Sequence, residues 1–140
     1  MNENDIRLSF RNRKIVGITI ISLIALLHIF GLGRKLNGNL STLYLSYGSD
    51  LIMPFGIYFL LCISQIHITI LEKWYVKAAL IFGLTTGLEI LQFFGIYALG
   101  ATFDPMDILV YALGVGIAVV VDRFIFDRLI PYWSISDSKH

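Results

Sequence analysis

The chain predicts an all-α polytopic membrane protein: a bundle of four transmembrane helices with both termini in the cytoplasm. Three observations predict it. Apolar residues make up 56% of the 140 positions and charged residues only 15%, against about a quarter charged in a soluble domain. The apolar residues are gathered into four long stretches, each near the roughly 20 residues that a helix needs to cross the hydrocarbon core. Lys and Arg fall overwhelmingly on one side of those stretches.

The first stretch covers about residues 15–32. Arg11, Arg13 and Lys14 precede it. It is longer than the apolar core of a secretory signal, and Gly31-Leu32-Gly33-Arg34 is not a small-x-small cleavage site. It reads as an uncleaved first helix. The second covers about residues 51–71, with Ser49 or Asp50 as its N-cap and Pro54 in its first turn. The third covers about residues 76–97. The fourth covers about residues 105–126, with Asp122 and Arg123 in its last turns, where an Arg can snorkel to the headgroups. Residues 1–140 form one domain, and residues 1–14 and 127–140 are cytoplasmic tails.

Orientation follows from the short flanks. Arg7, Arg11, Arg13, Lys14, Lys73, Lys77, Arg123, Arg128 and Lys139 lie on one side, and only Arg34 and Lys35 on the other. The side with nine belongs in the cytoplasm. Trp74 and Tyr75 then mark the inner interface, and Tyr44, Tyr47 and Tyr97 the outer one. Gly83 and Gly87 make a GxxxG match in the third helix, and Gly114 and Ala118 a small-xxx-small pair in the fourth. Such residues let helices approach closely in lipid.

Composition also excludes some functions. A net charge of +1, no basic stripe with aromatics and no GxxxxGK[ST] loop argue against a nucleic-acid or nucleotide partner. Cys62 is the only cysteine, so neither an internal disulfide nor a thiolate metal site can form.

The informative residues are the polar ones inside apolar helices. Glu89 lies about seven residues, or roughly 10 Å, from the outer end of the third helix. An ionisable group at that depth is costly and is a functional candidate by default. Thr85, Thr86 and Gln92 share its face. The plain alternative is a protonated Glu that hydrogen-bonds another helix. Asp104-Pro105-Met106-Asp107 opens the fourth helix. Asp104 suits the N-cap, Pro105 the first helical position, and Asp107 the N3 position near the positive end of the dipole. Asp107 shares a face with Tyr111, Gly114 and Ala118. His28 lies at nearly the depth of Glu89, where a His–Glu pair can hold a proton or an ion pair. A lone His on an apolar helix is more often a packing residue.

The predicted topology gathers Asp50, Glu89, Gln92, Asp104, Asp107 and Tyr111 in the outer half, with His28, Arg34 and Lys35 on the same side. Four neighbouring carboxylates repel unless something compensates. Protonation, the two basic residues, a divalent cation or a cationic ligand would do so.

The pattern Glu89-x-x-Gln92, Phe103-Asp104-x-x-Asp107, Gly114 resembles the second half of the VanZ-like membrane proteins. That family carries an E-x-x-Q on one helix and an R-x-F-D-x-x-D-x-x-x-N-x-x-G at the start of the next. The segment from Asp50 to Tyr58, with Phe55, resembles its earlier D-K-x-x-H-F-x-x-Y. The likeness spans about residues 49–120. Leu51, Pro54, Ala101 and Tyr111 stand where the family has Lys, His, Arg and Asn, so the chain looks like a divergent branch. The resemblance implies a bacterial plasma membrane, motif residues facing outward and, through the namesake, a link to glycopeptide resistance.

Four functions compete at this point. The first is an envelope protein that binds a lipid-linked or cationic ligand at the acidic pocket. The second is a membrane enzyme using Glu89 and Asp107 as acid and base on a lipid-linked substrate. The third is a small proton-coupled transporter. The fourth is a structural subunit. Membrane lipid is the expected neighbour, with a lipid-linked or cationic ligand as a candidate partner; cofactor, metal and oligomeric state are open.

Overall fold

The computed structural model describes residues 3–30, 38–64, 68–96, 103–131 and 133, with only the backbone of Glu3, His28, Leu40 and Leu45. The described residues are helical, with no strand among them. Helix α1 is Glu3–Ile29. A short α2, Asn39–Leu43, runs through a π-helical turn, Tyr44–Gly48, into α3, Ser49–Ser64. A 3-10 turn, Thr69–Glu72, leads to α4, Trp74–Phe93. Helix α5, Pro105–Val120, continues through a π-helical segment, Val121–Phe126, into α6, Asp127–Leu129.

Among the described residues, three helices are long and apolar enough to cross a membrane: Ser41–Ser64, Trp74–Phe93 and Pro105–Leu129. Helix α1 is different. Its first half carries Asp5, Arg7, Arg11, Arg13 and Lys14. The apolar remainder within the described residues, 15–29, reaches about 22 Å at 1.5 Å per residue. That is short of the roughly 30 Å hydrocarbon core. The expected continuation to residue 32 lies outside the described residues.

Helix α3 is the hub. It packs against α1, α4 and α5, and α4 packs against α5. Tyr58, Phe59 and Cys62 of α3 form the core with Ile81 of α4, Val115 and Ala118 of α5, and Trp133 beyond α6. Burial repeats about every three or four residues along α4 and α5, as one face of a helix requires. On α4 the buried positions are Lys77, Ile81, Thr85, Glu89 and Gln92; on α5 they are Tyr111, Gly114, Val115 and Ala118.

Several boundaries differ from the expected ones. The second helix begins earlier and α3 ends at Ser64, not at residue 71. Ile68 is extended and residues 69–72 form the 3-10 turn, in keeping with the Ile-Thr-Ile run, whose β-branched side chains disfavour helix. Ser49 and Asp50 are not N-caps, because the chain is already helical from Asn39. The third helix stops at Phe93, four residues short of residue 97. Gly95 takes φ 78°. The Ile96 N–H donates to the Leu91 carbonyl at 2.9 Å, and the Gly95 N–H to the Gln92 carbonyl at 2.9 Å. Those two bonds are the Schellman ending, which needs glycine at the left-handed position.

The expected tails are also part of the fold. Residues 3–14 are helical, and Ser9 and Arg13 are buried on the same face as Gly17. Asn12 Nδ2 donates to the Pro131 carbonyl at 3.2 Å, so the two ends of the chain meet.

Close helix approach occurs at glycines other than the GxxxG pair. A Cβ on Gly114 would collide with the Leu51 carbonyl and with Pro54, and one on Gly17 would press on Ile63 and the Phe59 carbonyl. Gly83 and Gly87 have open space around them. Gly114→Ala should therefore destabilise the protein by roughly 1–3 kcal/mol through overpacking. Gly87→Ala should stabilise it by up to about 1 kcal/mol through helix propensity. Thermal melts of the two variants in the same detergent give opposite signs.

Candidate functional site

Two polar centres lie at opposite ends of the bundle. The acidic end is where α4 finishes and α5 begins. The terminal end is where α1 starts and the chain runs past α6.

At the acidic end, Glu89 is 1% exposed. Its Oε1 accepts the backbone N–H of Asp104 at 2.8 Å, and its Oε2 accepts the Tyr111 hydroxyl at 3.3 Å. The carboxylate ties the end of α4 to the first two turns of α5. Asp104 is the N-cap of α5: its Oδ1 accepts the Met106 N–H at 2.9 Å, with Pro105 at the first helical position. Half-buried Asp107 lies within the electrostatic reach of Asp50, Glu89 and Asp104, and Asp50 within that of Glu89. Gln92 is buried on the face of Glu89 but takes no part in its hydrogen bonds. Thus Asp50, Glu89, Asp104, Asp107 and Tyr111 face one another from three helices. Arg34 and Lys35 lie outside the described residues, as does the side chain of His28. Among the described residues no set of three His, Cys, Asp or Glu side chains is disposed to hold a metal ion.

The terminal end holds a second centre, which is not among the expected site residues. Lys77 is expected on the cytoplasmic side, and Asp122 in the last turns of the fourth helix. They form an ion pair at 3.5 Å with side chains 3% and 7% exposed. The Asp122 carboxylate also accepts the Tyr58 hydroxyl at 2.7 Å and the Trp133 indole N–H at 2.6 Å. Lys77 Nζ donates to Cys62 Sγ at 3.2 Å and stands over the Tyr58 ring at 5.0 Å. Arg13 donates from Nε to the Trp133 carbonyl at 2.8 Å and from Nη2 to the same oxygen, and lies 5.6 Å from the centre of the indole. Burial pushes the Arg13 guanidinium below its ordinary pKa, while Asp122, Asp127 and Glu72 act the other way. Nearer solvent, Arg123 pairs with Asp127 at 3.3 Å, one turn apart.

A signal for this centre was present. Lys77, Ile81, Thr85 and Glu89 are spaced by four, so Lys77 shares the face of Glu89. Asp122 continues the spacing of Tyr111, Val115 and Ala118. The Asp122 segment is π-helical, a local widening often found at functional positions. The C-terminal Trp133 gave no such signal.

Three apolar helices of spanning length and two buried polar centres define the class: a membrane-embedded helical protein. Compared with protein-family models, curated proteins and solved structures, the chain matches none. The VanZ-like resemblance rests on the motif residues alone.

Removing one partner of a buried ion pair leaves the other uncompensated, at a cost of roughly 3–5 kcal/mol. Asp122→Ala should lose that much stability. Adding Lys77→Met should recover part of it, because the two positions are coupled. At the acidic end the signs differ between residues. Glu89→Leu removes the acceptor for two groups and should cost roughly 1–3 kcal/mol. Asp107→Asn relieves like-charge repulsion and should gain about 0.5–2 kcal/mol. Melting temperatures in detergent at low salt check both pairs.

Proposed function

We propose that the chain is a VanZ-like protein of a bacterial plasma membrane, with four spans and both termini in the cytoplasm, which binds the cationic group of a lipid-linked or free ligand at its outward-facing acidic end. The single observation that carries the reading is the set of carboxylates around Glu89. Asp50 and Asp107 lie within reach of a fully buried Glu89, and among the described residues no Lys, Arg or His forms an ion pair with any of the three.

The roles divide by environment. Both oxygens of Glu89 are already engaged, so it acts as a fixed negative centre. Asp104 is engaged as a cap. Asp50 and Asp107, half-buried and without such bonds, are the groups that face a ligand. In a water-poor site their charge attracts a cation more strongly than it would in bulk water. The excess of Lys and Arg on the terminal side supports the orientation. The apolar run of residues 15–32, which follows a charged helical half, supports α1 as the fourth span.

The test is a thermal melt of the protein in lipid nanodiscs, titrated with spermidine. A saturable rise is expected, equivalent to about 2.7 kcal/mol at a concentration one hundred times Kd. It should vanish in Asp50→Asn, Asp107→Asn. A rise that NaCl of equal ionic strength reproduces, or that survives the double variant, overturns the reading.

A further inference from the structure

We propose that Trp133 is a latch: it closes the terminal end of the bundle, and its release opens a water route to the Lys77–Asp122 centre and Cys62.

The argument starts from what holds Trp133. The residue lies past the last helix. Ile130 is extended at φ −110°, ψ 112°, and Pro131 follows it. Yet Trp133 is 3% exposed. Its indole N–H is spent on Asp122, its ring packs edge-on against Phe126 at 5.0 Å, and its carbonyl is held by Arg13. The Pro131 carbonyl takes the second tether, from Asn12. All these anchors are side-chain or carbonyl contacts made by Pro131 and Trp133, outside the helices. They can part together without unwinding α1, α5 or α6.

What lies beneath the indole is polar. A cavity of about 20 Å³ is lined by Arg13, Glu72, Lys77, Asp122, Arg123 and Trp133, among others. That is room for one water molecule. Withdrawing the indole joins this cavity to the water at that end of the bundle. It exposes Asp122 first, then Lys77, then Cys62, which is 1% exposed behind Lys77.

The closed state also carries a built-in opposition. Arg13 is 4% exposed, and its Nη1 has no hydrogen-bond partner. A buried donor left unsatisfied disfavours the state that buries it. Water would satisfy that donor once the latch opens. Closure therefore sets a few specific contacts against one buried donor left without a partner. The proposal does not depend on the acidic end or on what binds there.

Cys62 is the sole cysteine and reports the opening directly. The experiment measures its alkylation by N-ethylmaleimide in nanodisc-embedded protein, with the denatured chain as the ceiling rate. Wild type should be protected. Trp133→Ala and Arg13→Gln should each react about tenfold faster or more, as local opening demands. Trp133→Phe keeps the ring but loses the N–H donor, and should fall between. Gly114→Ala overpacks the contact of α5 with Leu51 and Pro54, away from the latch. It should leave the rate near that of wild type even where its melting temperature drops as far as that of Trp133→Ala. The proposal is overturned if the latch variants stay as protected as wild type, if wild type already reacts at the denatured rate, or if rates follow melting temperature alone across all four variants.

Discussion

The structure depends on one carboxylate. Asp122 takes hydrogen bonds from Tyr58 of α3, Lys77 of α4 and Trp133 beyond α6. Through the Trp133 carbonyl it is linked to Arg13 of α1. Every long helix therefore reaches this point or is one contact away. A charge in apolar surroundings is tolerable only when its lone pairs are filled. The need to fill them fixes how the helices are rotated against one another. Turning α4 by one residue would carry Lys77 away from Asp122, and would also carry Glu89 away from Asp104 and Tyr111.

The two polar centres frame an apolar layer. Lys77 and Glu89 are twelve residues apart on one face of α4, or about 18 Å. Ile81, Phe59, Val115 and Ala118 fill the space between. Close packing there is set by Gly17 and Gly114, where backbone meets backbone on either side of α3. The bundle is thus pinned by polar contacts at its two ends and by shape in its middle. Each device supplies what the other lacks: direction at the ends, proximity at the centre.

Much of this was legible in the residues. The all-helical class and the apolar stretches follow from composition. So does the gathering of Asp50, Glu89, Asp104, Asp107 and Tyr111, because short connections between consecutive helices bring those ends together. The cap at Asp104 and Pro105 was readable as local chemistry. The end of α4 was readable too, since Gly95 sits where a left-handed residue must, but an uninterrupted apolar run concealed it. The Lys77–Asp122 centre was not legible by hydropathy. A lysine three residues after Trp74 looks interfacial in any window average, and only the spacing of four with Ile81, Thr85 and Glu89 places it inside. Gly83 and Gly87 show the opposite error. The motif fits close packing, but the face it occupies is turned away from the other helices. Trp133 was illegible for a different reason: one of the residues that hold it, Arg13, is 120 positions away in the chain.

The long separation of partners bears on how the protein enters a membrane. Lys77 finds Asp122 only 45 residues later, and Glu89 finds Tyr111 22 residues later. When α4 has emerged from the ribosome ahead of α5, its Lys77 and Glu89 still await Asp122 and Tyr111. Each disfavours insertion of a lone helix by roughly 3 kcal/mol near its centre, and less toward its ends. Helices α4 and α5 would then partition into lipid as a hairpin, with the pairs closing as the second helix arrives. The same contacts that hold the finished bundle would set the order of its biogenesis.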